Sequence, residues 1–205
     1  MKLYFAKGAC SLVPRIIINE LNIPCEFESI DMKTKMTESG KNFHDINPKG
    51  YVPTIVTDDN QVLTENAVIL QYLADHYGAT LLPGTNDFHR YQILEWINFI
   101  ATEIHKNFSL LFKPQYPQEV KDIQMSLLQQ KFAYVDKQLS KTTYLSGDNF
   151  SLPDAYLLVM LTWTTHFKFD LNSLTHVVRF FNMMLDRPSV KKSLQEEGLH
   201  MHSSS

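Results

Sequence analysis

The chain is poor in cysteine: Cys10 and Cys25 are the only two in 205 residues. Two thiols in a chain this long do not make a disulfide framework. They are not spaced as a C-x-x-C redox pair, and they lack the Cys/His spacing of a zinc site. Long apolar runs are also missing, and none approaches the roughly 18 residues that a membrane helix needs. Positive charge is not in excess: 19 Lys and Arg against 22 Asp and Glu leave a formal net charge of -3. That balance offers nothing to nucleic acid or to an anionic membrane. The opening MKLYFAKGACS turns polar too soon for a secretory signal, so a cytoplasmic protein is expected. There is no internal repeat. What is present is a core-forming composition, 44% hydrophobic and 20% charged, in a chain comfortable for two small domains.

KLYFA reads as a strand. Ser11 can cap the helix that follows, whose first turn tolerates Pro14. RIIINELN keeps helical spacing until Asn22-Ile23-Pro24 stops it. CEFESID alternates as a second strand, and residues 32–46 are polar and irregular. NPKGYVPTIVTDDNQVLTE gives a turn, a strand over Thr54–Thr57, an Asp-Asp-Asn turn and another strand, which together make a hairpin. Thr64 caps a helix over ENAVILQYLADHY. The order βαβ-ββα in residues 1–78 predicts a parallel crossover within a small mixed sheet backed by helices. Residues 79–86 read as a linker. Residues 87–199 show no convincing strand and five helical patterns, an all-α domain. Residues 200–205 are polar and patternless, and a disordered tail is expected there.

Cys10 stands where the first strand hands over to the first helix. A helix N-terminus carries partial positive charge and unpaired N–H groups, and a cysteine so placed has a lowered pKa. In open α/β sheets, ligands bind beyond the carboxyl ends of the strands, which is where Cys10 falls. Position alone leaves it open between a thiolate site and a small buried residue. Cys25, opening a strand among apolar neighbours, reads as structural. Pro53 enters a strand, where a residue without an N–H belongs. Taken alone it reads as a trans turn residue, although a cis Val52–Pro53 bond would present the Val52 backbone to a peptide-like ligand.

In LTEN, Glu65 complements the dipole of the helix it opens. The same corner would suit a ligand carrying an ammonium group, on Glu65, and a carboxylate, on Asn66 and the free helix N–H groups. Along the helical pattern from 88 to 108, Glu95, Asn98, Thr102 and His105 follow at steps of three and four and share one face. That face fits a wet cleft or interface as well as a bland surface. FSLPDAY holds Ser151 and Asp154 as an S-x-x-D capping box, a structural signal.

Six stretches then match a known pattern in order and spacing across nearly all of residues 1–199: KLYFAKGACSLVPRI, DMKTKMTESGKNFHDINPKGYVPTI, VLTENAVILQYLADH, EWINFIATEIHKNFSLLF, GDNFSLPDAY and RPSV. The chain resembles a cytosolic glutathione S-transferase, most closely of the bacterial beta class. The resemblance implies a thioredoxin-like N-terminal domain, an all-α C-terminal helical bundle, a homodimer, glutathione as co-substrate and no metal. It implies that Pro53 is cis and that the Val52 backbone pairs with the cysteinyl part of glutathione. Glu65 and Asn66 would hold the γ-glutamyl end, and Lys35 would lie near the glycyl carboxylate. Asn98, Thr102, Glu103, His105 and Lys106 would line the site from the long helix, some from the partner subunit. Cys10 would sit beside the glutathione sulfur and form a mixed disulfide with it. Two residues depart from the family pattern. Phe5 has no hydroxyl where several relatives carry Tyr, leaving Ser11 as a hydroxyl source, and Asn66 replaces a smaller residue.

The expected activity is conjugation of the glutathione thiolate to small hydrophobic electrophiles, with Cys10, Ser11 and His105 catalytic. Two other functions fit the same residues. A lone thiol at a thioredoxin-like helix start is what single-thiol exchange needs, so a glutathione-dependent thiol transferase or reductase using Cys10 is one. The aromatics Phe108, Phe112, Trp163 and Phe167 suit the other, a non-catalytic protein that binds hydrophobic ligands.

Overall fold

A computed structural model of the chain describes residues 1–201. Residues 202–205, most of the segment expected to be a disordered tail, lie outside the described residues. The chain divides into two compact units, one made of residues 1–79 with 187–201 and the other of residues 80–186.

The first unit begins βαβ: β1 (Lys2–Phe5), α1 (Leu12–Glu20) and β2 (Glu26–Ser29). A single 3-10 turn (Phe43–Asp45) interrupts the loop that follows, then come β3 (Thr54–Val56), β4 (Val62–Thr64) and α2 (Asn66–Tyr77). The strands form one sheet in the order β2-β1-β3-β4. β1 runs parallel to β2 and antiparallel to β3, and β3 is antiparallel to β4. The pleat puts alternate side chains on opposite faces. Leu3 and its register partner Ile55 are both fully buried on one face. Tyr4 points the other way, into a smaller cluster with Ala6, Ile30, Phe43 and Val52.

α1 is buried from Leu12 to Asn19, as expected of a helix that is apolar nearly all round. Ile16 and Ile17 are fully buried, each worth about 1.5–3 kcal/mol relative to exposure. The cover on its far side is α8 (Pro188–Glu196). Chain order predicts this last helix as part of a continuous helical domain over 87–199, and it belongs instead to the first unit. Long-range polar pairs explain the difference. Asn19 Nδ2 donates to Ser193 Oγ at 2.8 Å and to Glu196 Oε2 at 3.0 Å. Arg187 Nε donates to Glu20 Oε2 at 2.8 Å. The Arg15 guanidinium lies between the rings of Phe5 and Phe27, 4.2 and 3.9 Å from their centroids. It also makes 3.1 Å ion-pair contacts with both Glu196 and Glu197.

The second unit is helical: α3 (Phe88–Phe99), a π-helical segment (Ile100–His105), α4 (Lys106–Leu111), α5 (Gln118–Leu139), α6 (Leu152–His166) and α7 (Thr175–Leu185). The pattern over 88–108 predicts one regular helix; its middle is wound wider than an α-helix. α6 is the buried centre, with every residue from Leu152 to Thr162 inside. The capping box expected at its start is present. Asp154, fully buried, accepts from Ser151 N at 2.8 Å and from Leu145 N at 2.9 Å. No helix among the described residues is long and apolar enough to cross a membrane.

Candidate functional site

The loop between β1 and α1 carries Cys10. It turns tightly: Ala9 N donates to Ala6 O at 3.0 Å, and Gly8 takes φ +69°, a left-handed conformation that glycine adopts without strain. From below, Glu197 accepts the Gly8 N–H at 2.8 Å. Ser11 does not cap α1. Its hydroxyl, with no exposed surface, turns back into the loop. There it accepts from Ala6 N at 3.1 Å and donates to Ala6 O at 3.3 Å. Ser11 braces the turn that presents Cys10.

Three segments meet at Cys10. Its thiol donates to Val52 O at 3.3 Å. The Val52–Pro53 bond is cis, which corrects the trans reading taken from position alone. Asn66 Nδ2 donates to Cys10 O at 3.1 Å, so the first residue of α2 is tied to the last turn before α1. The amide orientation follows from that carbonyl, because a flipped amide would set two oxygens against each other. Asn66 Oδ1 is then a buried acceptor without a donor.

The thiol does not have the lowered pKa that a helix start suggests. Cys10 as a residue is half-buried, but its sulfur is desolvated, and burial pushes the thiol up to about 12. Its own backbone N–H and Asn66 pull the other way, while the Glu65 carboxylate adds to the rise. A helix terminus supplies roughly 0.3–1 kcal/mol at an exposed site, under one pKa unit. Loss of water costs more, and it wins. β1 provides no activated hydroxyl either. Burial raises the pKa of Tyr4, and Phe5 faces Arg15.

Around this corner, Glu65 precedes α2 with φ +73°, a left-handed conformation that costs a non-glycine residue energy. The expected cap, Thr64, instead ends β4. Lys49 Nζ donates to Glu65 Oε1 at 2.6 Å and to Thr64 Oγ1 at 3.0 Å. Lys35, also left-handed at φ +59°, donates from Nζ to Gly50 O at 2.8 Å.

The second unit carries the remaining predicted residues. Asn98, Thr102 and Lys106 are exposed, and Thr102 Oγ1 donates to Asn98 O at 3.0 Å. Glu103 pairs with Lys131 at 2.7 Å, which holds its carboxyl below the usual range. His105 is half-buried. It ends the π segment, where its Nδ1 sits 2.7 Å from the Tyr156 hydroxyl with Trp163 edge-on at 5.1 Å between centroids. Sequence reasoning passed over Lys49, Glu197 and Tyr156. Tyr156 stands in the quoted FSLPDAY, but nothing in that motif marks it as the partner of His105.

Family models account for both units. Residues 4–81 match the glutathione S-transferase N-terminal domain, and residues 99–188 match the C-terminal domain. The chain belongs to the glutathione S-transferase family. It is 40% identical over 200 residues to the glutathione S-transferase GstA of Escherichia coli O157:H7, covering 97% of this chain and all of that one. Among solved structures, a sphingomonad glutathione S-transferase complexed with glutathione superposes with a TM-score of 0.94 at 35% identity, covering 98% of this chain and 100% of that chain. A bacterial beta class transferase from Sphingomonas chungbukensis gives a TM-score of 0.93 at 34% identity, covering the same shares.

Proposed function

We propose that the protein binds glutathione at the corner of Cys10, Val52 and Asn66 and couples its thiolate to small hydrophobic electrophiles. The observation that carries this reading is the meeting of three chain segments, with Cys10 Sγ 3.3 Å from Val52 O and Asn66 3.1 Å from Cys10 O. Two helices start here, and helix starts favour anions through their free N–H groups. Val52 offers backbone to a peptide, Glu65 a carboxylate to an ammonium group, and Lys35 an ammonium to a distant carboxylate. The buried Asn66 Oδ1 costs about 1–3 kcal/mol while unpaired, which a ligand N–H would offset.

Only a few per cent of a free thiol is ionised near pH 7. Stabilising the thiolate by one pKa unit is worth about 1.4 kcal/mol. The thiol proton leaves to solvent, the sulfur attacks an electrophilic carbon to form a C–S bond, and the leaving group departs with its electron pair. Ser11 is given no part in this step, because its hydroxyl is buried and engaged with Ala6. Asn98, Thr102, Glu103, His105 and Lys106, and assembly as a homodimer, enter through the family resemblance.

The test is turnover of glutathione with a chloronitroaromatic acceptor. A rate above the uncatalysed one is expected, and its absence overturns the reading. Thiol transfer by Cys10 is disfavoured by a sulfur held as the neutral thiol, since the thiolate is the attacking form. Conjugation is expected to survive Cys10→Ala in part, whereas thiol transfer would vanish.

A further inference from the structure

Lys49 reaches the Glu65 carboxylate from a turn whose backbone is tied down. Asn47, almost wholly buried, ties the turn together. Its Nδ2 donates to Tyr51 O at 2.8 Å and to Thr54 Oγ1 at 3.0 Å, and its Oδ1 accepts from Lys49 N at 3.1 Å. The next residue, Gly50, sits at φ +66°, and a Cβ there would stand 2.5 Å from the His44 ring. The turn is therefore fixed. From it the Lys49 stem extends to the carboxylate at 2.6 Å and to Thr64 Oγ1 at 3.0 Å. Glu65 is equally constrained by its left-handed backbone at the mouth of α2.

We propose that Lys49 is a resident counter-cation of the ammonium subsite, occupying Glu65 until the ligand's own ammonium group takes its place. The inference rests on the assignment of Glu65 to the amine end of glutathione. Lys49 then sets affinity and specificity: it satisfies the carboxylate in the free protein and competes with every amine-bearing ligand. A ligand without an ammonium group does not displace it.

The experiment is calorimetric titration of glutathione into the full chain and its Lys49→Met variant, which keeps the stem and removes the charge. An ionic strength of about 0.15 M screens long-range attraction beyond about 8 Å. Lys49→Met is expected to bind about two- to fivefold more tightly, the range an exposed ion pair supports. The gain should vanish for the tripeptide acetylated at its α-amino group, and it should vanish in a Glu65→Gln background. Unchanged or weaker binding by Lys49→Met overturns the proposal, weaker binding showing that Lys49 touches the ligand directly. A wild-type chain that binds no glutathione overturns the functional reading as well, whereas binding without the gain overturns this inference alone.

Discussion

Free Cys10 should react slowly. An ordinary thiol with a pKa near 8.5 is about one-tenth ionised at pH 7.5. A thiol pushed up to about 12 is ionised to roughly 3 parts in 100,000, about three orders of magnitude less. Part of that deficit returns, because a more basic thiolate is a better nucleophile. With a Brønsted slope of about 0.4–0.5, a rise of some 3.5 units recovers about one and a half orders. The net expectation is attack on an aromatic disulfide probe on the order of 100-fold slower than by a small free thiol at pH 7.5. The rate should climb close to tenfold per pH unit, with no plateau up to pH 10. A Cys25→Ser variant isolates Cys10, since the Cys25 thiol is also pushed up by burial, to about 11. A plateau below pH 8, or a rate above that of the free thiol, would show that helix N–H groups outweigh desolvation here and would refute the reasoning.

Two further outcomes test the framework around the site. Glu28 is desolvated, yet hydrogen bonds from Ser39 and Lys2 hold its carboxyl down at about 2. A depressed carboxyl stabilises the fold above its unfolded pKa of about 4.3, and that contribution of roughly 3 kcal/mol fades as pH falls from about 5 to 2. Urea unfolding of Glu28→Gln should therefore show a shallower acid decline than the wild type; equal declines count against the assignment. Asp154→Ala leaves the buried N–H groups of Leu145 and Ser151 without their acceptor. A loss of about 2–5 kcal/mol follows in denaturant melts, with Asp154→Asn losing less; a loss under 1 kcal/mol would rule out the capping account.

The order of elements in the first 78 residues was legible because it rests on local signals. β1 and β3 have short runs bounded by turn residues, and α1 carries continuous apolar spacing up to a proline stop. The capping errors share one cause. Ser11 and Thr64 each stand before a helix, as caps do, but Ser11 spends its hydroxyl on Ala6, and Thr64 stays in the ladder opposite Thr54. A hydroxyl has several acceptors and donors within reach, and only the folded loop decides among them. The placement of α8 failed for a different reason. Its polar residues are matched to Asn19 and Glu20, more than 160 positions away in the chain, and periodicity carries no information about partners at that distance.

At the site, position and chemistry part company. Cys10, Val52 and Asn66 stand in three separate motifs, and the structure brings those motifs together. What the spacing could not express is solvent. Being at a helix start is a statement about N–H groups, and it predicts an acidic thiol only if water also reaches the sulfur. Around Cys10, burial raises the thiol pKa by more than its own N–H and Asn66 lower it, so the buried corner keeps the thiol protonated. The consequence bears on function directly. A neutral Cys10 can donate its S–H, as it does to Val52 O, without competing with an incoming thiolate for the helix N–H groups. The corner is therefore poorly arranged to generate a thiolate of its own, which favours the proposed conjugation over thiol transfer.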